Sequence, residues 1–230
     1  LWMLAGVLDA RALKIKKLSY QGTTGVGYGL VSFKVTREDP RRSFVERYEM
    51  LERRAREERR AAEDDYVRLA RRAVETIVRT GKLPPVPAEL PKEMAGRAGV
   101  YVTLTRDGTP HGTYGTFEPS AKSIADEITR NAAHAARNDT HVTPVTEEEL
   151  DALDITVDVL SEPELVGCTE ALDPKTYGII AESRGRKGVM LPAAPGIETA
   201  EEQLRAARKK AGIPEDAAIR IWRFTSERHA

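Results

Sequence analysis

The residues best suited to chemistry form the run Gly112-Thr113-Tyr114-Gly115-Thr116-Phe117, preceded by Pro110 and His111. Two glycines permit close backbone approach, and two threonine hydroxyls flank them. A strand, a glycine-rich turn and a helix in that order can present backbone N–H donors to an anion. The run lacks the lysine of a phosphate loop and the third glycine of a dinucleotide fingerprint. The competing reading is a bulged strand packed against Phe117.

Other candidates are thinner. His111, His134 and His141 fall within thirty-one residues, but the chain leaves its helix near Asn138, so His134 and His141 need not share a face. The His-Glu-x-x-His spacing of a metalloprotease is missing, and these rings read as exposed or hydrogen-bonded rather than metal ligands. Cys168 is the single cysteine, which excludes an internal disulfide framework and a thiolate zinc site. With no histidine near it in sequence, it reads as an unactivated thiol. Gly22–Gly29 reads as a hairpin turn, because no helix follows it to complete a phosphate cradle.

These residues need elements to hold them. Leu1, Leu4, Leu8 and Leu13 suggest a helix end, 12–20 a strand, and Leu30, Val31 and Phe33 a second strand across the turn. Residues 37–79 hold 24 of the 72 charged side chains, and within them Phe44, Tyr48, Leu51 and Ala55 make one narrow apolar stripe. Glu49/Arg53 and Glu52/Arg56 are acid-before-base pairs on this connector helix. From Asp64, Val67, Ala70, Val74, Ile77 and Val78 specify a helix buried on one side, capped by Gly81. Beyond it come a strand at 99–105, the Asp107-Gly108 hairpin and its return strand through His111–Phe117. A helix at 123–136, a short helix from Thr146 and a strictly alternating strand at 155–160 follow. A second hairpin at 177–191, a helix opened by a Thr199/Glu202 capping box, and a strand at 219–225 complete the pattern. Strands and helices mix without regular alternation, which predicts an α+β fold with mixed or antiparallel sheets and flanking helices.

The 36 basic and 36 acidic side chains balance, which argues against a simple electrostatic nucleic-acid binder or a polybasic membrane protein. No apolar run approaches the roughly 20 residues of a transmembrane helix, and the expected setting is cytoplasmic. Arginine enrichment with scarce Asn and Gln fits a heat-adapted source.

Taken together, Asp65-Tyr-Val-Arg-Leu-Ala70, Arg79-Thr-Gly-Lys82, Gly99-Val-Tyr-Val-Thr-Leu104, Gly112–Phe117, Leu172-Asp-Pro-Lys175 and Arg186-Lys-Gly-Val-Met-Leu-Pro192 resemble the AMMECR domain family over roughly 62–226. Glu201-Glu-Gln-Leu…Lys210-Ala-Gly-Ile213 is similar to its bacterial branch, AmmeMemoRadiSam protein A. The resemblance implies a large and a small lobe with a cleft near the glycine run. Leu18-Ser-Tyr-Gln-Gly22 and Gly27-Tyr-Gly-Leu-Val-Ser-Phe33 resemble the closing strands of a class III extradiol dioxygenase (LigB/Memo-like) domain. Residues 1–36 would then be the C-terminal remnant of such a domain, 37–61 a helical connector, and 62–230 the AMMECR-type domain. Any ring-cleaving residues would lie upstream of Leu1.

The family's Leu-Arg-Gly-Cys-Ile-Gly-Thr stands here as Pro110-His-Gly-Thr-Tyr-Gly-Thr116, and its Asp-Pro-Arg-Phe as Asp139-Thr-His-Val142. Thr113 replaces the motif cysteine, and His111 and His141 replace two arginines, which removes thiol catalysis and weakens anion binding at neutral pH. The expected function is binding of a small molecule or protein partner through His111, Gly112, Thr113, Tyr114, Gly115 and Thr116, with Asp139 and His141 contributing; no catalytic or metal-ligating residue and no cofactor is assigned. The alternative is a component of metal- or radical-linked chemistry with Memo-like and radical-SAM partner proteins, and a third reading is an interaction module acting through the charged segment Glu49–Arg60.

Overall fold

The computed structural model describes residues 2–23, 26–137 and 143–230, in two compact units that divide between Ala62 and Glu63. The first unit contains helix α1 (Trp2–Val7), strands β1 (Arg11–Thr23) and β2 (Val26–Glu38), and helix α2 (Phe44–Ala62). β1 and β2 form a two-stranded antiparallel ribbon, from Arg11 opposite Glu38 to Thr23 opposite Val26. Both strands run longer than the apolar alternation alone predicts, because backbone pairing continues through the polar and glycine positions. Asp9 accepts from the Phe44 backbone N–H at 2.6 Å and ties the helix start to this unit. Along α2 Arg53 pairs with Glu57 at 3.8 Å, between well exposed side chains, rather than with the expected Glu49. None of residues 6–22 and 27–62 is buried.

The second unit holds the core. Asp64 caps helix α3 (Asp65–Thr80) by accepting from the Tyr66 and Val67 backbone N–H groups at 3.0 Å, and Gly81 closes it at φ 72°. Strands β3 (Val100–Arg106) and β4 (Thr109–Thr116), helix α4 (Ile124–Arg137) and strand β5 (Leu153–Leu160) follow. They join β10 (Ser226–His229) in an antiparallel sheet of order β10-β5-β3-β4. Val100, Val102 and Leu104 alternate into a core with Ile155 and Val157, covered by Val67, Ala70 and Val74 of α3 and Ile128, Ala132 and Ala135 of α4.

The other sheet has the order β6-β9-β7-β8, from β6 (Glu164–Val166), β7 (Gly178–Ser183), β8 (Arg186–Met190) and β9 (Arg220–Phe224). Helix α5 (Ala200–Ala211) packs on it, opened by the Thr199/Glu202 capping box and ended by Gly212 at φ 60°. Leu160, Ile180 and Phe224 bury together against Tyr101, Phe117 and Trp222 and join the two sheets of this unit. The fold is α+β with antiparallel sheets, as expected from the element pattern. Two short strands, β6 and β10, escape that pattern: each is too short to show a period, and β10 finds its place by pairing with β5, distant in sequence.

Candidate functional site

The run 111–116 lies in β4, the edge strand of its sheet, so a strand is found where a glycine turn was the rival. Pairing sets Leu104 opposite Gly112 but Thr105 opposite Pro110, so His111 is an extra, bulged residue. Beyond the bulge the side chains alternate. Gly112, Tyr114 and Thr116 meet α4. A Cβ on Gly112 would come closer than 3.0 Å to the Ala135 carbonyl oxygen, and the Tyr114 ring stacks on His134 with centroids 4.6 Å apart. A Cβ on Gly115 would likewise collide with the Tyr101 ring. Both glycines serve close packing within the fold, and neither sits in a loop that could wrap a phosphate.

Thr116 belongs to a buried polar cluster. Its hydroxyl donates to Glu127, which also accepts from the Ser120 hydroxyl at 2.8 Å and the Ser120 and Ala121 backbone N–H groups at 3.0 and 2.6 Å. Asn131 donates to Thr116 Oγ1 at 3.2 Å and to the Val100 carbonyl at 2.8 Å. Burial alone would raise the Glu127 carboxyl, but these donors outweigh it and hold the group below its ordinary value. The cluster fixes the chain as it leaves β4 for α4.

His111 Nε2 lies 3.3 Å from Glu149 Oε2, and Arg106 pairs with the other oxygen of that carboxylate. Glu149 also accepts from the Thr146 N–H at 2.9 Å, closing the capping box of the short helical turn Glu147–Ala152. That N–H, with His111 and Arg106, keeps the Glu149 carboxyl below its usual range against the opposing effect of burial. The bulge therefore aims His111 into a charge network that orders the next turn. His134 stacks on Tyr114. Asp139 and His141 lie outside the described residues.

The sheet face opposite α3 and α4 collects side chains that the motif search passed over. Pairing places Thr103 opposite both Thr113 and Thr156, so three threonines cross three strands at one level. At the next level Tyr101 stands between Gly115 and Asp158, with Arg228 of β10 beyond Asp158. Asp158 is fully buried and accepts from Arg228 Nε and Nη2 at 2.9 and 3.2 Å and from Ser226 Oγ at 3.3 Å. Burial pushes the Tyr101 phenol up to about 12, so it stays protonated and able to donate. Thr103 and Thr156 are partly exposed, Thr113 is exposed, and the hydroxyls of Thr103 and Thr156 make no hydrogen bond to a described residue. Residues 101, 103, 105 and 154, 156, 158 are the alternates of β3 and β5 that face away from the core residues Val100, Val102, Leu104, Ile155 and Val157.

Two further points complete the inventory. Cys168 is exposed and precedes the single turn Thr169–Ala171. Among the described residues no three of His, Cys, Asp and Glu come together as a metal-ligand set, and no helix is long and apolar enough to cross a membrane.

The comparisons with known proteins agree with this architecture. The chain is 45% identical to a Thermotoga maritima protein over 170 residues, 73% of this chain and 98% of that one. It is 37% identical to the Clostridium acetobutylicum protein CA_C1420 over 229 residues, which span 99% of this chain but only 48% of the relative. Among solved structures, the uncharacterized protein PH0010 of Pyrococcus horikoshii matches with a TM-score of 0.65 and 31% identity, covering 71% of this chain and 88% of that one. The AMMECR1 family model matches residues 67–229, the unit that carries both sheets and the threonine row, and on that match the chain belongs to the AMMECR1 family.

Proposed function

We propose that this AMMECR1-family chain is a binding module that takes a small, polar, hydrogen-bonding molecule on the sheet face of Thr103, Thr113 and Thr156. The observation that carries the reading is the threonine row itself. The partly exposed hydroxyls of Thr103 and Thr156 face away from the core and make no hydrogen bond to a described residue, so they keep donor and acceptor capacity on paired strands, with Thr113 beside them on the edge strand β4. The protonated Tyr101 phenol borders the row on one side. A face of hydroxyls and a phenol suits sugars, nucleosides or amides rather than strongly charged ligands. Of the residues expected from sequence, Thr113 belongs to this face; His111 and Thr116 act through Glu149 and Glu127 to hold β4 in register.

The test is ligand-observed NMR of a library of simple sugars and nucleosides against the full chain, repeated on Thr103→Val and Thr113→Val. The reading expects at least one compound to bind and both variants to lose it. No binder in the library, or binders indifferent to both substitutions, would count against it.

A second reading concerns the first unit and rests on a separate observation. Ile15, Leu18, Tyr20, Tyr28, Leu30 and Phe33 are all exposed on a ribbon in which none of residues 11–22 and 27–38 is buried. A two-stranded ribbon is marginal alone in water. The clostridial relative matches nearly all of this chain within half of its own length, whereas the match to the T. maritima protein takes in almost all of that protein and 73% of this chain. These facts favour the ribbon as the last hairpin of a further domain, the class III extradiol dioxygenase-like domain that residues 18–33 resemble. The AmmeMemoRadiSam setting, with Memo-like and radical-SAM partners, is what the resemblance of residues 201–213 to that branch implies. Hydrogen exchange on the full-length clostridial protein should show its equivalent ribbon protected, and fast exchange there would remove this reading.

A further inference from the structure

Away from the threonine face, the β7–β8 hairpin and the loop after α5 enclose a groove of about 570 Å³, and a neighbouring hollow of about 300 Å³ shares Ser183, Arg184, Ala217 and Ala218 with it. The residues around the groove are braced by guanidinium groups bonded to neutral carbonyls. Arg186 Nη1 donates to the Gly212 carbonyl at 2.6 Å, and Arg208 Nη1 donates to the Pro214 and Ala217 carbonyls at 2.7 and 3.0 Å. Ser183 Oγ donates to the Ala218 carbonyl at 2.8 Å. These bonds fix the loop against the hairpin and leave the Arg186 guanidinium on the groove wall bonded to a carbonyl rather than a carboxylate.

Arg184 is the second guanidinium on the wall. It occupies the hairpin turn at φ 49°, followed by Gly185 at φ 80°, the paired left-handed geometry of a tight two-residue hairpin. A side chain other than glycine, asparagine or aspartate is uncommon in that conformation. Arg184 makes no ion pair or hydrogen bond with any described residue. The carboxylate of Glu182 is already engaged by Arg220 at 2.9 Å. Asp216 is the remaining carboxylate on the wall among the described residues, and no ion pair forms on it.

We infer that this groove is a binding site for a phosphomonoester that also carries hydroxyl or amino groups. Arg186 is anchored through one nitrogen, so the rest of its five N–H donors are pre-oriented, and Arg184 adds an unengaged fork from the turn. Two guanidiniums lining one groove offer enough N–H donors for the three terminal oxygens of a phosphate. Asp216 would repel a bare dianion but accept from a hydroxyl or ammonium on the same molecule, and the groove has room well beyond a phosphate ion. No bond is made or broken in this step; it is recognition.

The experiment is isothermal titration of the full chain with glycerol 3-phosphate, inorganic phosphate and glycerol. Glycerol 3-phosphate should bind saturably below about 10 mM, inorganic phosphate more weakly, and glycerol not at all. Arg184→Asn, which keeps the left-handed turn and touches no internal bond, should weaken glycerol 3-phosphate by about tenfold or more, and Arg186→Gln should do the same. Asp216→Asn should narrow the gap between glycerol 3-phosphate and inorganic phosphate. Absence of saturable binding, or an Arg184→Asn variant that binds as the parent does, overturns the assignment. Thr103→Val, on the other sheet, should leave this binding unchanged; its loss would place the phosphate at the threonine face instead.

Discussion

Replacing Gly112 by alanine tests the claim that the glycines of β4 exist for packing. The added methyl would lie closer than 3.0 Å to the Ala135 carbonyl oxygen and 3.2 Å from its carbon, with Leu104 Cδ1 at 3.7 Å behind it. Ordinary C···O approaches begin near 3.3 Å, so the overlap is substantial. The obstacle is a helix backbone rather than the end of a flexible side chain, so relief requires α4 to move away from the sheet. That motion would disturb Ile128 and Ala132 in the core and stretch the Asn131 bond to the Val100 carbonyl. Overpacking of this kind costs about 1–3 kcal/mol and more where backbone must shift, so a loss of about 3 kcal/mol is expected. Urea unfolding followed by a probe in the second unit would measure it as a shift in midpoint at constant slope. Gly167→Ala is the control, because nothing lies within 4 Å of its new methyl, and its effect should stay within about 0.5 kcal/mol. A Gly112→Ala protein as stable as the control would refute the packing argument and reopen a ligand-facing role for this glycine.

Other consequences follow from the same geometry. Glu127→Gln would place amide hydrogens against groups that now donate, and about 2–3 kcal/mol should be lost, read by chemical denaturation. Because the folded carboxyl is held below its ordinary value of 4.5, its stabilisation is complete well above that pH and drains as pH falls through the lower folded value. The Gln variant should therefore show a shallower acid limb in a stability-versus-pH series, and an unchanged limb would contradict the assignment. His229 Nδ1 lies 2.5 Å from Asp64 Oδ2 and its ring stacks on Tyr66 at 3.8 Å, pinning β10 to the start of α3. His229→Ala should cost about 1–2 kcal/mol in thermal unfolding, and His229→Phe, which keeps the stack, should recover part of it. Gly188→Ala should behave like Gly112→Ala, since its methyl would strike the Ala207 carbonyl of α5.

The elements with long periods were legible. The α3 stripe, the capping box at Thr199 and the alternation of β5 all emerge where the sequence places them, because burial on one face writes itself into spacing. The glycine run was ambiguous for a physical reason: glycine serves a phosphate-binding turn and a tight helix–sheet contact equally well. Only the position of Ala135, twenty-three residues further on, separates the two. The threonine row was invisible for a different reason. Thr103, Thr113 and Thr156 are unremarkable one at a time, and their alignment depends on strand pairing between segments far apart in the chain. Charge pairs on α2 were the least predictable, since exposed side chains choose among several neighbours of nearly equal energy.

The most direct test of the central claim is methyl NMR of the three threonines in the full chain, titrated with the best sugar or nucleoside from the library. The account predicts that Thr103, Thr113 and Thr156 methyl signals shift together along one saturation curve, and that Thr103→Val abolishes the response at the other two. Binding that leaves all three unmoved while shifting signals elsewhere would contradict it.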